Sequence, residues 1–354
     1  MWHGGACVAH LSQSLSLMFS ALVLDDTEGE IQAQVRELQT DDLPRAESEE
    51  VHLEVLYSSL NYKDGLAVTG SGQVIRGDYP IVPGIDLVGR VLNTDHDAFE
   101  EGDRVIGTGW QLGEVAWGGY RQEARVAGRK LVPLPDGLSP AQAMIIGTAG
   151  FTAMLSVKAL GEHDVSPGAG EVVVTGASGG AGSIAVALLD ALGHEVVAST
   201  GSETAHAYLR ALGADRIVHR RTLGEGPDRP MESGRWAGAI DAVGGDTLAT
   251  LIAQLKRHGS VASFGNAGGH ELRTTVLPFI LRGVNLLGID SNTCPNDRRR
   301  TAWGRLAQLL TEAHFDRIHA RTISLADIPE ASRALLAGEV QGRILVDVQG
   351  NGTA

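Results

Sequence analysis

The stretch "VVVTGASGGAGSIAVALLDALG", Val172 to Gly193, carries the clearest chemistry in the chain. An apolar run enters a glycine-rich turn and leaves as a helix-forming run, which presents free backbone N–H groups and a positive helix end to a pyrophosphate. Gly179 and Gly182 occupy the second and third positions of a dinucleotide fingerprint, while Ala177 replaces its first glycine. Ala177, Ser178, Gly179, Gly180, Ala181 and Gly182 are thus expected to cradle phosphates. The end of the next strand, "VVASTGSETAH", should meet the ribose. NAD enzymes place Asp or Glu there, about 20 residues beyond the glycines, and such a group repels a 2′-phosphate. Thr200, Gly201 and Ser202 offer small donors instead, and Arg220 in "IVHRR" can add charge one strand later. NADPH is the favoured cofactor, although Glu203 falls at nearly the distance suited to NAD.

The same turn also fits the Thr-Gly-x-x-x-Gly-x-Gly pattern of short-chain dehydrogenases, which need a Tyr-x-x-x-Lys pair for proton transfer. Only Tyr208 follows the turn, and Leu212 stands where the lysine would be. The motif also sits mid-chain rather than near the N-terminus. That assignment fails.

Positioning a nucleotide and a reacting group takes more than one core in a chain of 354 residues, so two domains are expected. From Met18 to Gly147, β-branched runs such as "VHLEVLYSSL" and "DRVIGTGW" alternate with Gly, Pro and Asp turns, suggesting a partly closed, barrel-like β domain. After the helical "MIIGTAGFTAMLSVKAL", strands and helices alternate, which predicts a parallel, doubly wound sheet and hence an α/β fold. The helix "RTAWGRLAQLL" and the strand "GRILVDV" are read as returning to the first domain. The expected division is residues 18–147 with 292–354, residues 148–291 for the dinucleotide, and a disordered extension over 1–17. No Lys or Arg precedes Arg36, and Ser, Gln and His interrupt the apolar start, so it reads as neither signal peptide nor membrane span.

Net charge is −14, which argues against general nucleic-acid binding and leaves room only for a local basic pocket. Two cysteines, Cys7 and Cys294, make a disulfide framework implausible and fit a reducing cytoplasm.

The segments "SSLNYKDGLAVTG", "PIVPGIDLVG", "MIIGTAGFTAMLSV", "WAGAIDAVGG" and "TTVLPFILRGVNLLGIDS", with the glycine turn and "QGRILVDV", span nearly the whole chain. In them the chain resembles the medium-chain dehydrogenase/reductase superfamily, and within it the acrylyl-CoA reductase group of quinone-oxidoreductase-like proteins. The resemblance implies a GroES-like catalytic domain, a Rossmann domain and a homo-oligomer. Zinc-dependent members carry Gly-His-Glu where this chain reads Gly84, Ile85, Asp86, and an isoleucine cannot ligate a metal. A metal-free site is expected.

For such a site the resemblance implies a polar cluster of Asn61, Tyr62, Asp64, Asp86 and Arg343, with Tyr62 also beside the cofactor. Hydride would add to the β-carbon of an activated alkene while donors stabilise the developing enolate oxygen. Taken as bare residues, Asn61 and Asp64 equally suit a turn, Tyr62 a core aromatic, and Asp86 with Arg343 a structural ion pair. Asn266, Ile280 and Ser291 are implied around the nicotinamide half; Ile280 alone also reads as core packing. A small-molecule substrate follows: a short CoA thioester such as acryloyl-CoA, or alternatively a free enone or quinone. A non-catalytic nucleotide-binding protein, as recruited crystallins are, is the third reading. For the CoA phosphates, the candidate patch is Arg298, Arg299 and Arg300, at the start of a helix.

Overall fold

The computed structural model describes residues 18–350, so the N-terminal extension and Cys7 lie outside the described residues. Strand β1 (Met18–Thr27) folds onto β2 (Glu30–Gln39) as an antiparallel hairpin. Glu28 and Gly29 make its two-residue turn with φ of 55° and 89°, the paired left-handed geometry that matches strand twist.

The next strands are β3 (Glu50–Leu60), β4 (Asp86–Thr94), β5 (Arg104–Thr108), β6 (Glu123–Ala127) and β7 (Leu131–Pro133). They join one mainly antiparallel sheet around an apolar core that includes Val51, Leu53, Leu87 and Val105. The barrel-like unit also contains a helix, Tyr62–Thr69, in a stretch that reads equally as a turn. Asn61 precedes it with extended backbone, and its N–H donates to Asp64 Oδ2 at 2.9 Å. Capping at that spacing is what converts the turn into a helix start.

Strands β8 (Val172–Val174), β9 (Val196–Thr200), β10 (Arg216–His219), β11 (Trp236–Asp241), β12 (Leu255–Ser263) and β13 (Asn285–Gly288) form a second sheet. All its pairings are parallel, in the order β10-β9-β8-β11-β12-β13. The strand order reverses between β8 and β11, which opens a crevice at their C-terminal ends. The chain then returns: β14 (His319–Ile323) lies beside β15 (Arg343–Asp347), and β15 pairs antiparallel with β3 of the first sheet. The last strand therefore brings Arg343 beside Leu60 and Asn61.

Helix Pro140–Gly161 runs between the two units, and Phe151 and Met154 join it to a core shared with Ile184 and Leu188. It is the one helix among the described residues long and apolar enough to cross a bilayer, and most of it is buried inside the protein. The sequence reads as one uninterrupted helix here, but Gly147 breaks it with φ 51° and ψ −161°. Glycine adopts that conformation without a Cβ clash.

Candidate active site

The break at Gly147 has a chemical purpose. It frees the carbonyl of Ile145, which accepts from Arg343 Nε at 3.0 Å, and turns the Thr148 N–H onto Asp86 Oδ2 at 2.9 Å. Asp86 opens β4 and is wholly buried. Oδ2 also accepts from Ser59 Oγ at 2.6 Å and Asn61 Nδ2 at 2.8 Å, while Oδ1 accepts from Thr148 Oγ1. Four donors thus hold one buried carboxylate, which burial alone would make expensive. Arg343 Nη2 stands 4.0 Å from Asp86 Oδ2 and donates instead to Ser59 Oγ at 2.8 Å; its Nη1 donates to Asn61 Oδ1 at 3.1 Å.

Asp64 is 1% exposed and accepts from Ile85 N at 3.0 Å as well as from Asn61. Burial, and then the neighbouring Asp86, push its carboxyl up to about 7 against the pull of those N–H donors. Tyr120 lies over Gly84 and gives its hydroxyl proton to Ser59 O at 3.1 Å; burial first, then both aspartates, raise that phenol well above its usual range. Of the five polar residues implied above, the structure ties four together. These four, Asn61, Asp64, Asp86 and Arg343, are buried and bonded to one another, whereas Tyr62 is 49% exposed. Of the five, only the tyrosine is open to solvent.

The metal slot is answered by chemistry rather than by distance. Ile85 is buried, both Asp86 oxygens are already committed, and among the described residues no three His, Cys, Asp or Glu side chains gather to hold a metal ion. The residues present do not fit zinc.

At the strand-order reversal lies a cleft of about 540 Å³, lined among others by Gly176, Ser178, Thr200, Gly201, Arg220 and Arg221. The turn meets its left-handed requirement at Gly176, φ 58°, one residue before the alanine that replaces the first fingerprint glycine. Gly179 precedes helix Gly180–Ala191, and a Cβ on Gly182 would come within 2.3 Å of Gly176 O. Gly182 thus packs the helix against the turn, with Ala177 buried and Ala181 in its first turn. Ser178 Oγ and Thr200 Oγ1 lie 3.3 Å apart. Arg220 folds so closely over Gly201 that a Cβ there would stand 2.6 Å from Nε. Ser202 is exposed and bonds to Thr204, and Glu203 is exposed in the short turn after it. The cleft and the buried cluster touch through the returning chain: Gly342 N donates to Ser178 O, and a Cβ on Gly180 would lie 2.7 Å from Arg343 Cδ.

Three further positions fall differently. Asn266 is exposed in the loop after β12, next to Ala267 and Gly268 of the cleft. Ile280 is 68% exposed on helix Leu277–Arg282, not packed in a core. Ser291 is half-buried, with its carbonyl oxygen accepting from Arg299 at 3.2 Å. The three-arginine patch is corrected outright. Arg299 is 1% exposed and points inward, Arg300 pairs with Asp297, and Arg298 is left as an exposed single residue. The helix turns the middle arginine away from its neighbours, since residues one apart do not share a face.

Sequence reasoning passed over Ser59, Gly147 and Thr148. All three lay inside stretches already singled out, "SSLNYKD" and "MIIGTAG", and their signal was small or hydroxyl residues amid apolar runs.

Comparison with known proteins agrees with this architecture. Residues 47–136 match the family described as "Alcohol dehydrogenase GroES-like domain", and residues 180–310 match "Zinc-binding dehydrogenase". "Acrylyl-CoA reductase AcuI" of Ruegeria pomeroyi is 50% identical over 94% of this chain and 99% of its own. The structure of the yhdH oxidoreductase of Salmonella enterica in complex with NADP superposes with a TM-score of 0.90 at 49% identity, covering 93% of this chain and 99% of that one. The Bacillus subtilis protein yhfP, solved with NAD bound, also gives 0.90, at 43% identity, with coverage of 94% and 100%.

Proposed function

Because the chain belongs to the acrylyl-CoA reductase group of the quinone-oxidoreductase-like medium-chain dehydrogenases/reductases, we propose that it reduces the C=C bond of a short 2-enoyl-CoA, acryloyl-CoA above all, with NADPH. The observation that carries the substrate class is the 50% identity, over 94% of this chain, with the Ruegeria pomeroyi acrylyl-CoA reductase.

NADPH, when bound, supplies the hydride for the β-carbon. The cleft suits its adenosine end: Ser178 and Thr200 hydroxyls line one side, and Arg220 with Arg221 offers the charge that a 2′-phosphate needs in place of an acidic ribose ligand. Backbone N–H groups at Gly179 to Gly182 begin the helix that would meet the pyrophosphate. Tyr62 is the solvent-exposed member of the five polar residues, so we assign its hydroxyl the hydrogen bond to the substrate carbonyl or the proton for the α-carbon. Asn61, Asp86, Ser59 and Arg343 hold the backbone that aims it.

Self-association and a cytoplasmic location belong to the same proposal. Val276, Ile280, Leu281 and Leu286 are exposed apolar side chains on or near β13, an edge of the parallel sheet, and a second copy covering them would remove that edge. NADPH and CoA esters are intracellular metabolites, which supports the location.

The deciding experiment is steady-state NADPH oxidation with acryloyl-CoA, a free enone and a quinone, each with a chelator present. Acryloyl-CoA should lead by orders of magnitude in kcat/KM, because binding energy from the remote handle helps orient the alkene. Comparable efficiency on the quinone would overturn the assignment.

A further inference from the structure

A second buried guanidinium stands at the seam between the two units. Arg299 Nη1 donates to Thr108 O and Thr108 Oγ1, both at 2.8 Å. Its Nη2 donates to the carbonyl oxygens of Ser291 at 3.2 Å, Asn292 at 3.4 Å and Cys294 at 3.3 Å. None of these acceptors is a carboxylate. The charge centre also lies 4.7 Å from the Phe151 ring and 5.4 Å from the Trp110 ring, and Phe151 stacks in turn on Trp303.

Burying a cation with no carboxylate in hydrogen-bonding contact is costly even with Asp86 and Asp290 attracting it from farther off, and Leu or Met would fill the space between aromatic rings without that cost. What a hydrocarbon cannot do is grip two backbones at once. One is Thr108, at the end of β5 and directly across the ladder from Asp86. The other is the segment from Ser291 to Cys294, which leaves the nucleotide-binding sheet just after β13. The same seam is stitched by Trp110 N to Asn292 O at 2.8 Å and Gln111 N to Asn292 Oδ1 at 3.0 Å. Trp110 and Gln111 hold φ of 51° and 62°, a conformation that side-chain-bearing residues keep only where surrounding contacts over-determine it.

We propose that Arg299 is a positioning residue for hydride transfer: by clamping Ser291–Cys294 to Thr108 it sets the spacing between the nicotinamide-side wall of the nucleotide domain and the Asp86 cluster. This rests on the NADPH-dependent reading given above. The adenosine cleft lies elsewhere on the sheet, so the two ends of the cofactor should respond differently.

The test uses the full chain with Arg299→Met, which keeps the apolar stem between the rings and removes every donor, and Arg299→Lys, which keeps the charge but replaces the planar fork by a point donor. Arg300→Gln, on the exposed face of the same helix, is the control. Three quantities are measured: affinity for 2′,5′-ADP, kcat with NADPH and acryloyl-CoA, and the primary isotope effect with 4-deuterated NADPH. Arg299→Met should bind 2′,5′-ADP as the parent does, lose on the order of 10- to 100-fold in kcat, and show a larger isotope effect as the chemical step becomes limiting. Arg299→Lys should recover part of the loss. Parental kcat and isotope effect in a folded Arg299→Met protein would overturn the inference, and so would a parallel loss of 2′,5′-ADP affinity, which marks a general structural role. Should Arg299→Met not fold, Thr108→Val removes a single acceptor and must give the same split at smaller amplitude; parental kinetics there would overturn the idea equally. A parent chain that does not oxidise NADPH would bring down the functional reading itself, a result separable from any of these.

Discussion

Arg343 and Asp86 stand 4.0 Å apart with the Ser59 hydroxyl between them, accepting from the guanidinium at 2.8 Å and donating to the carboxylate at 2.6 Å. The pair is therefore joined through a hydroxyl, and a second time through the Asn61 amide, so its strength depends on residues that bear no charge.

Removing that hydroxyl should cost more than a surface hydrogen bond. Ser59→Ala leaves a buried guanidinium N–H without its acceptor, and about 1–3 kcal/mol of stability is expected to go with it. Denaturant unfolding measures this directly. An unchanged unfolding free energy would mean that the Asn61 bridge, or direct closure of Arg343 on Asp86, makes the hydroxyl dispensable.

Gly147 packs directly against the side chains of the cluster. A Cβ there would lie 2.6 Å from Asp86 Oδ2 and 2.7 Å from both Arg343 Nη2 and Ser59 Oγ, on a backbone whose φ is 51°. Gly147→Ala is expected to destabilise by at least about 2 kcal/mol, since strain and displacement of a buried polar network act together. Activity should fall more than tenfold by the same displacement, about 1.4 kcal/mol or more in barrier. Gly161→Ala, where a Cβ meets nothing within 4 Å, serves as the comparison.

Cofactor preference should follow Arg220. Its side chain lies over Gly201 in the cleft proposed for the adenosine end, so Arg220→Gln would remove the charge proposed to meet the 2′-phosphate and leave the rest of the cleft in place. The Michaelis constant for NADPH should rise roughly tenfold or more, the equivalent of about 1.5–3 kcal/mol, with little change for NADH. Equal effects on both cofactors would show that the phosphate is held elsewhere.

The Asp64 carboxyl carries a pH signature. Its folded value of about 7 lies above the ordinary 3.8, with burial as the main cause, so the folded state keeps a proton that the unfolded chain releases. The stability tied to that proton is fully present below about pH 4 and is lost as pH rises through about 7. Asp64→Asn cannot titrate. The unfolding free energy of the parent relative to the variant should accordingly fall across this window and level off above about pH 8; a constant difference would place the Asp64 titration near its ordinary value.

Sequence alone determined the features that depend on short-range pattern. The glycine turn and the alternation of strands and helices were legible because each is written in adjacent residues whose chemistry does not depend on what packs against them, whereas the isoleucine in the metal slot and the polar residues of "SSLNYKD" were singled out only by the family resemblance. Tertiary structure decided the rest. Helical periodicity could place Arg298, Arg299 and Arg300 in one turn, but only the seam with Thr108 and Ser291 sends the middle one inward and breaks up the basic patch. Likewise, Gly147 reads as an ordinary helix residue until β15 returns Arg343 to lie against it, a contact spanning most of the chain. A hydroxyl such as Ser59 becomes a bridge only when strands far apart in sequence bring a cation and a carboxylate to its two sides, and no local pattern encodes that meeting.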